Sequence, residues 1–165
     1  MPGTVKAIPE GFHTLTPLIV VREAARAIEF YKSAFGAELL TVAADGPGGK
    51  ITHASLKIGD SILMLTDEFP EWQCLGPQAL GGSPVTIHIY TEKVDDAFDR
   101  AVKAGAAVTM PLQDQFWGDR YGQVVDPFGH KWSIGAHVED LTRDEIAKRA
   151  EAVFGEMAKK AGQGK

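Results

Sequence analysis

Aromatic rings stack on planar molecules and a guanidinium forks a carboxylate, and the run Phe116-Trp117-Gly118-Asp119-Arg120-Tyr121 places both kinds of group within six residues. Phe116 and Trp117 are suited to lie against a flat ligand while Arg120 grips a carboxylate or phosphate. The competing reading has Trp117 filling a seam of the fold and Arg120 pinned by Asp119 or Asp126. An imidazole's ordinary pKa lies near neutrality, so His88 and His53 are the natural proton shuttles, with Glu68 a further base if it reaches the same hollow. Nucleophilic chemistry has less to draw on. Cys74 is the sole cysteine and sits in Glu71-Trp72-Gln73-Cys74 with no identifiable activator. No G-x-S-x-G or C-x-x-C occurs. Gly46-Pro47-Gly48-Gly49 lacks the Lys-Ser/Thr ending of a phosphate loop and reads as a turn.

A unit that occurs twice must position these residues. A strand over 16–21 leads into Ala24, Ala27, Ile28, Tyr31 and Phe35 at helical spacing, closed by Gly36 in a C-cap position. Strands follow over 39–43, 52–58 and 61–66. The second half repeats the order: a strand over 85–91, a helix carrying Val94, Ala97, Phe98, Ala101 and Val102, the cap Gly105, then strands near 107–110, 121–125 and 131–135. Gly36 against Gly105 sets a period of about 70 residues, too long for a solenoid. The expected fold is α+β, with two βαβββ modules in pseudo-two-fold relation forming a cupped mixed sheet, plus a C-terminal helix. One domain spans 1–138, its modules covering about 12–70 and 83–138, with 76–84 as linker and 139–165 as helix and tail.

Strand alternation sorts the faces. Val85, Ile87 and Ile89 belong against a helix, so Thr86, His88 and Tyr90 point away from it, toward a hollow shared by the two modules. Ala54, Leu56 and Ile58 are likewise core, leaving His53, Ser55 and Lys57 on the other side. Asp126-Pro127-Phe128-Gly129-His130 is a tight turn with Phe128 as an apolar plug, after which His130 and Trp132 are expected to pack on the second helix. Thr142 with Glu145 forms a capping box and Leu141 with Ile146 a hydrophobic staple. The stripe Ile146, Ala150, Val153 and Met157 then docks on the domain or meets a second copy.

Composition narrows the function classes. The 165 residues carry 17 Lys and Arg against 22 Asp and Glu, a net charge of -5 that repels a phosphate backbone, so nucleic acid is not an expected partner. One cysteine builds no disulfide within the chain and no thiolate cluster, which fits a reducing cytoplasm. No signal peptide or spanning run is evident, and no membrane role is expected.

The segments VVREAARAIEFYKSAFGAE and FWGDRYGQVVDPFGHKWS, the latter from Phe116 to Ser133, resemble the PhnB-like branch of the vicinal-oxygen-chelate superfamily, the glyoxalase and bleomycin-resistance fold. The resemblance runs over about 12–140. It implies paired modules, a cup-shaped sheet, homodimers and a ligand pocket inside each cup. Metal-dependent members carry His, Gln or Glu at four positions that fall here on Thr16, Met64, Thr86 and Ser133. A thioether and three hydroxyls are poor ligands for a divalent ion. The expected cofactor is therefore none, with a displaced metal site built from His88, His53 and Glu68 or Glu92 as the remaining metal possibility.

Three functions stay open at this point. The leading one is a metal-free, dimeric binding protein holding a small aromatic or anionic molecule through Thr86, His88, Tyr90, Phe116, Trp117 and Arg120. The second is a lyase, epimerase or isomerase of a small oxygenated metabolite, with His88, His53 or Glu68 moving the proton. The third is an interaction module with an empty cleft.

Overall fold

The computed structural model describes residues 5–162. Strand β1 (Leu18–Val21) leads into helix α1 (Ala24–Phe35), followed by β2 (Glu38–Ala43), β3 (His53–Ile58) and β4 (Ser61–Asp67). A one-turn helix α2 (Pro77–Leu80) lies within the linker. The second module comprises β5 (Thr86–Tyr90), α3 (Val94–Ala104), β6 (Ala107–Asp114), β7 (Asp119–Val125) and β8 (Lys131–His137), and helix α4 (Arg143–Gly162) ends the chain. Each module forms a four-stranded sheet, β1-β4-β3-β2 in the first and β5-β8-β7-β6 in the second. The β1–β4 and β5–β8 pairs are parallel and the others antiparallel. This is the expected α+β architecture with its repeated module.

Local chemistry explains the boundaries. β1 starts at Leu18, two residues later than the sequence suggests, because Pro17 has no N–H to donate and only its carbonyl serves, accepting from Met64 N at 2.9 Å. Gly36 closes α1 at φ 66°, with its N–H donating to Lys32 O and that of Ala37 to Tyr31 O. The other end of α1 is capped from a distance. The buried Asp67 carboxylate, at the end of β4, accepts from Ala24 N and Ile51 N, both at 2.8 Å. β6 runs four residues past its expected end because Pro111 sits on an edge strand, beside bulges, where the missing donor interrupts no ladder.

The two helices lie between the two sheets. Ile19, Val21, Ala54, Leu56 and Leu65 of the first sheet and Val124, Trp132 and Ile134 of the second join one core with α1 and α3. Trp132 packs on the first helix, its ring 4.5 Å from Phe35 and 5.5 Å from Tyr31. Phe128 plugs the same cluster, 6.0 Å from Phe30, as expected of the turn. Because the helices fill the interior, the outer faces of the sheets point away from each other. The cup expected from the polar faces of the two sheets therefore does not form within one chain, and Leu18 and Tyr90 are left exposed on those faces.

At the C-terminus the capping box is present: Glu145 N donates to Thr142 Oγ1 at 3.3 Å, and Thr142 N donates back to Glu145 Oε2 at 2.8 Å. Arg149 forks Glu139 with two contacts of 2.7 Å. Docking of the stripe is partial. Ile146, Ala150 and Val153 are half-buried, while Met157 is 60% exposed. No helix among the described residues is long and apolar enough to cross a membrane.

Candidate functional site

The outer face of the second sheet gathers most of the ring-bearing candidates. Cross-strand register aligns His88, Ser133, Gln123 and Met110 on one rung, and Tyr90, Gly135, Tyr121 and Gln113 on the next. Gly135 creates the space for the histidine: a side chain there would come 3.1 Å from His88 Cε1. The imidazole fills that gap. It stands edge-on to Tyr90 with centroids 4.3 Å apart and stacks on Tyr121 at 5.7 Å and 16°. The ladder continues from Tyr121 to Trp117 at 5.6 Å, from Trp117 to Phe116 at 5.0 Å, and from Phe116 to Phe154 of α4 at 5.6 Å. Edge-to-face contacts of this kind hold rings in fixed orientations.

Hydrogen bonds lock the polar edges. Ser133, buried in mid-strand, shares a 2.7 Å hydrogen bond with His88 Nδ1. The other ring nitrogen, Nε2, has no hydrogen-bond partner among the described residues. Burial lowers the pKa of His88 from its ordinary value, partly opposed by the Asp119 charge, so the ring is neutral at pH 7. Gln123 Nε2 donates to Tyr121 Oη at 2.8 Å. Asp119 ties the rim together: its carboxylate accepts from Trp117 Nε1 at 3.1 Å and Tyr90 Oη at 3.3 Å, and pairs with His137 Nδ1 at 2.9 Å. His137 also reaches Asp140 at 3.0 Å, and these two carboxylates raise its pKa. The Asp119 charge likewise raises the pKa of Tyr90.

Several sequence candidates lie elsewhere. Arg120 turns to the helix side, where its guanidinium binds Asp95 of α3 at 2.6 Å and Asp114 of β6 at 3.0 Å. It pairs with neither Asp119 nor Asp126 and is not free to fork a ligand. Glu68 does not face the aromatic surface. It is buried, accepts from Arg22 Nε at 2.7 Å and Gly76 N at 2.9 Å, and is held as a carboxylate below its usual range chiefly by Arg22. His53 lies on the first sheet, 3.0 Å from Ser55 Oγ, with the helix layer between it and His88. The pair therefore forms no displaced metal site within one chain, and Glu92 follows β5 at an exposed position. Thr86 is exposed beside Lys131 at the margin of the site.

Sequence reasoning missed Tyr121, Ser133 as the partner of His88, and the Asp119–His137 pair. The signal was available for Tyr121. Successive strand residues alternate faces, so Arg120 and Tyr121 cannot serve the same site.

Comparison with known proteins settles the family. The sequence pattern of the Glyoxalase/Bleomycin resistance protein/Dioxygenase superfamily matches residues 12–134. The chain belongs to that superfamily. It is 50% identical over 136 residues to the uncharacterized protein Rv0887c of Mycobacterium tuberculosis, covering 80% of this chain and 79% of that one. Among solved structures it is similar to TioX from Micromonospora sp. ML1, with 29% identity, a TM-score of 0.61, and coverage of 76% of this chain and 99% of that one. The PhnB protein of Bacillus cereus shares the fold at 22% identity and a TM-score of 0.55, over 75% of this chain and 99% of that one.

The residues at the four metal positions of metal-dependent relatives are otherwise engaged or chemically unsuited. Thr16 lies ahead of β1 and donates its hydroxyl to His13 O at 2.9 Å. Met64 offers a thioether opposite Leu18, and the Ser133 hydroxyl is committed to His88. These residues do not fit a divalent ion that prefers imidazole and carboxylate. Among the described residues, no group of three or more His, Cys, Asp and Glu side chains is arranged to hold one.

Proposed function

We propose that this protein is a PhnB-like, metal-independent binding protein that holds a small planar aromatic molecule on the outer face of its second sheet. The observation that carries this reading is the ladder His88, Tyr90, Tyr121 and Trp117, whose rings are fixed by Ser133, Gln123 and Asp119 and remain open to a ligand. Stacking supplies the affinity, on the order of 1–3 kcal/mol per ring, and His88 Nε2 supplies one directional contact with a ring heteroatom. The anionic version loses its support with Arg120, so the preferred guest is an uncharged ring system.

A homodimer completes the site. One chain leaves the aromatic face uncovered on one side and the exposed Leu18, beside the half-buried Met64, on the other. A second copy related by a two-fold axis lays its first sheet over this second sheet and closes two equivalent cups. The lone Cys74 and the absence of thiolate clusters suit a cytoplasmic protein.

Lumichrome, a neutral, planar and fluorescent heteroaromatic, is a suitable probe. It is expected to quench Trp117 and raise the melting temperature, with about 2.7 kcal/mol of stabilisation at 100 times its Kd. Tyr121→Ala is expected to weaken binding at least tenfold while the unliganded melting temperature stays near wild type. Equal affinity in Tyr121→Ala and wild type would remove the ligand from this face.

An enzymatic reading rests on one specific feature. Ser133 fixes His88 Nδ1 and leaves Nε2 of a neutral imidazole facing the open surface, the arrangement a general base needs. Turnover of a small carbonyl substrate that vanishes in His88→Gln while lumichrome still binds would favour it.

A further inference from the structure

We infer that the seam between the two modules is a second ligand site, built for a small amphipathic carboxylate. β1 and β5 are edge strands of separate sheets, and no ladder joins them. Between the approach to β1 and the end of β5 lies a cavity of about 640 Å³, a size typical of small-molecule sites, which favour such junctions. Most of its wall is apolar, from Phe35, Ile62, Leu63, Ile87, Ile89 and Ile134, and Thr16, Ser61 and Thr91 add hydroxyl groups.

One cation reaches this apolar space. Arg100 of α3 crosses to the end of α1, where its Nε donates to Ala34 O at 2.9 Å. The guanidinium lies over Gly36, its NH2 nitrogen 3.7 Å from where a Cβ would stand, an ordinary packing distance. Arg100 is itself exposed, and with Nε held its two terminal nitrogens are left at the cavity wall. None of the described carboxylates lies within ion-pair distance of them. Asp60, also at the cavity, sits on the β3–β4 turn and accepts from Ser61 Oγ at 2.8 Å. His88 and Tyr90 border the opening toward the aromatic face, but the apolar walls and Arg100 belong to the seam alone.

A guanidinium beside an apolar wall selects a monoanion with a hydrocarbon body: the carboxylate takes the paired N–H donors while the tail displaces water from the isoleucines. This assignment is independent of ring stacking on the outer face. Decanoate and decan-1-ol are the probes, compared by isothermal titration calorimetry on the full chain. Decanoate is expected to bind at least tenfold tighter than the alcohol, and raising the salt should weaken decanoate alone. Arg100→Met should bring decanoate down to the affinity of the alcohol, Arg100→Lys should keep part of the preference, and Tyr121→Ala should change nothing. The inference is overturned if neither probe binds, if acid and alcohol bind equally, if Arg100→Met leaves decanoate unaffected, or if Tyr121→Ala abolishes its binding. Loss of lumichrome binding with decanoate retained would count against the aromatic-face reading alone.

Discussion

Asp126 accepts four hydrogen bonds in the interior: from Tyr31 Oη at 2.7 Å, Trp132 Nε1 at 2.8 Å, and the backbone N–H groups of Phe128 and His130 at 2.9 Å. It thus joins α1 to the second sheet and fixes the turn between β7 and β8, while burial and the Asp126 charge hold Tyr31 protonated. Asp126→Ala orphans all four donors and is expected to cost at least about 3 kcal/mol in urea unfolding. His137 gives a pH signature at the site. Its pKa is raised in the folded protein, first by Asp119 and then by Asp140, so its contribution is complete below its unfolded value of about 6.5 and is lost as pH rises through the folded value. The melting-temperature gap between wild type and His137→Gln should therefore be widest near about pH 6 and close toward about pH 9. The ring types at the site were legible in the sequence. The loss of Arg120 to Asp95 was not, since it depends on how α3 sits against β7.

At the scale of elements, the helices show what periodicity reveals and what it hides. The spacing of Ala24, Ala27, Ile28, Tyr31 and Phe35 and the Gly36 cap place α1 correctly, because both signals are local. Its N-terminal cap is invisible to such reasoning, since Asp67 arrives from 43 residues away. Asp67→Ala is expected to lower stability by about 1–2 kcal/mol, measured by chemical denaturation. The loop bearing Phe116 and Trp117 depends on Gly118, at φ 96°, where a side chain would collide with the Glu139 carbonyl oxygen. The same glycine's carbonyl accepts from Val138 N and Glu139 N, both at 3.0 Å, so it ties the aromatic rim to the root of α4. Gly118→Ala is expected to destabilise by more than about 1 kcal/mol and to shift Trp117 emission.

For the whole molecule, the repeat predicted two modules, and the structure has them. How they face each other was not readable from the pattern. Alternation separates the two sides of a sheet but does not say which side meets the other module. The decisive contacts are long-range, Trp132 on Phe35 and His130 Nε2 on Val20 O at 2.9 Å, and they put the helices inside. The aromatic face consequently looks outward. Native mass spectrometry is expected to find a dimer, and Leu18→Lys to yield a monomer that binds lumichrome more weakly. The most direct test of the central claim is a lumichrome titration of protein stripped with chelator and dialysed, followed by repeat titrations after adding zinc, manganese or nickel. The expected result is one affinity throughout, falling at least tenfold in Tyr121→Ala. Binding that appears only when metal is restored would contradict the account.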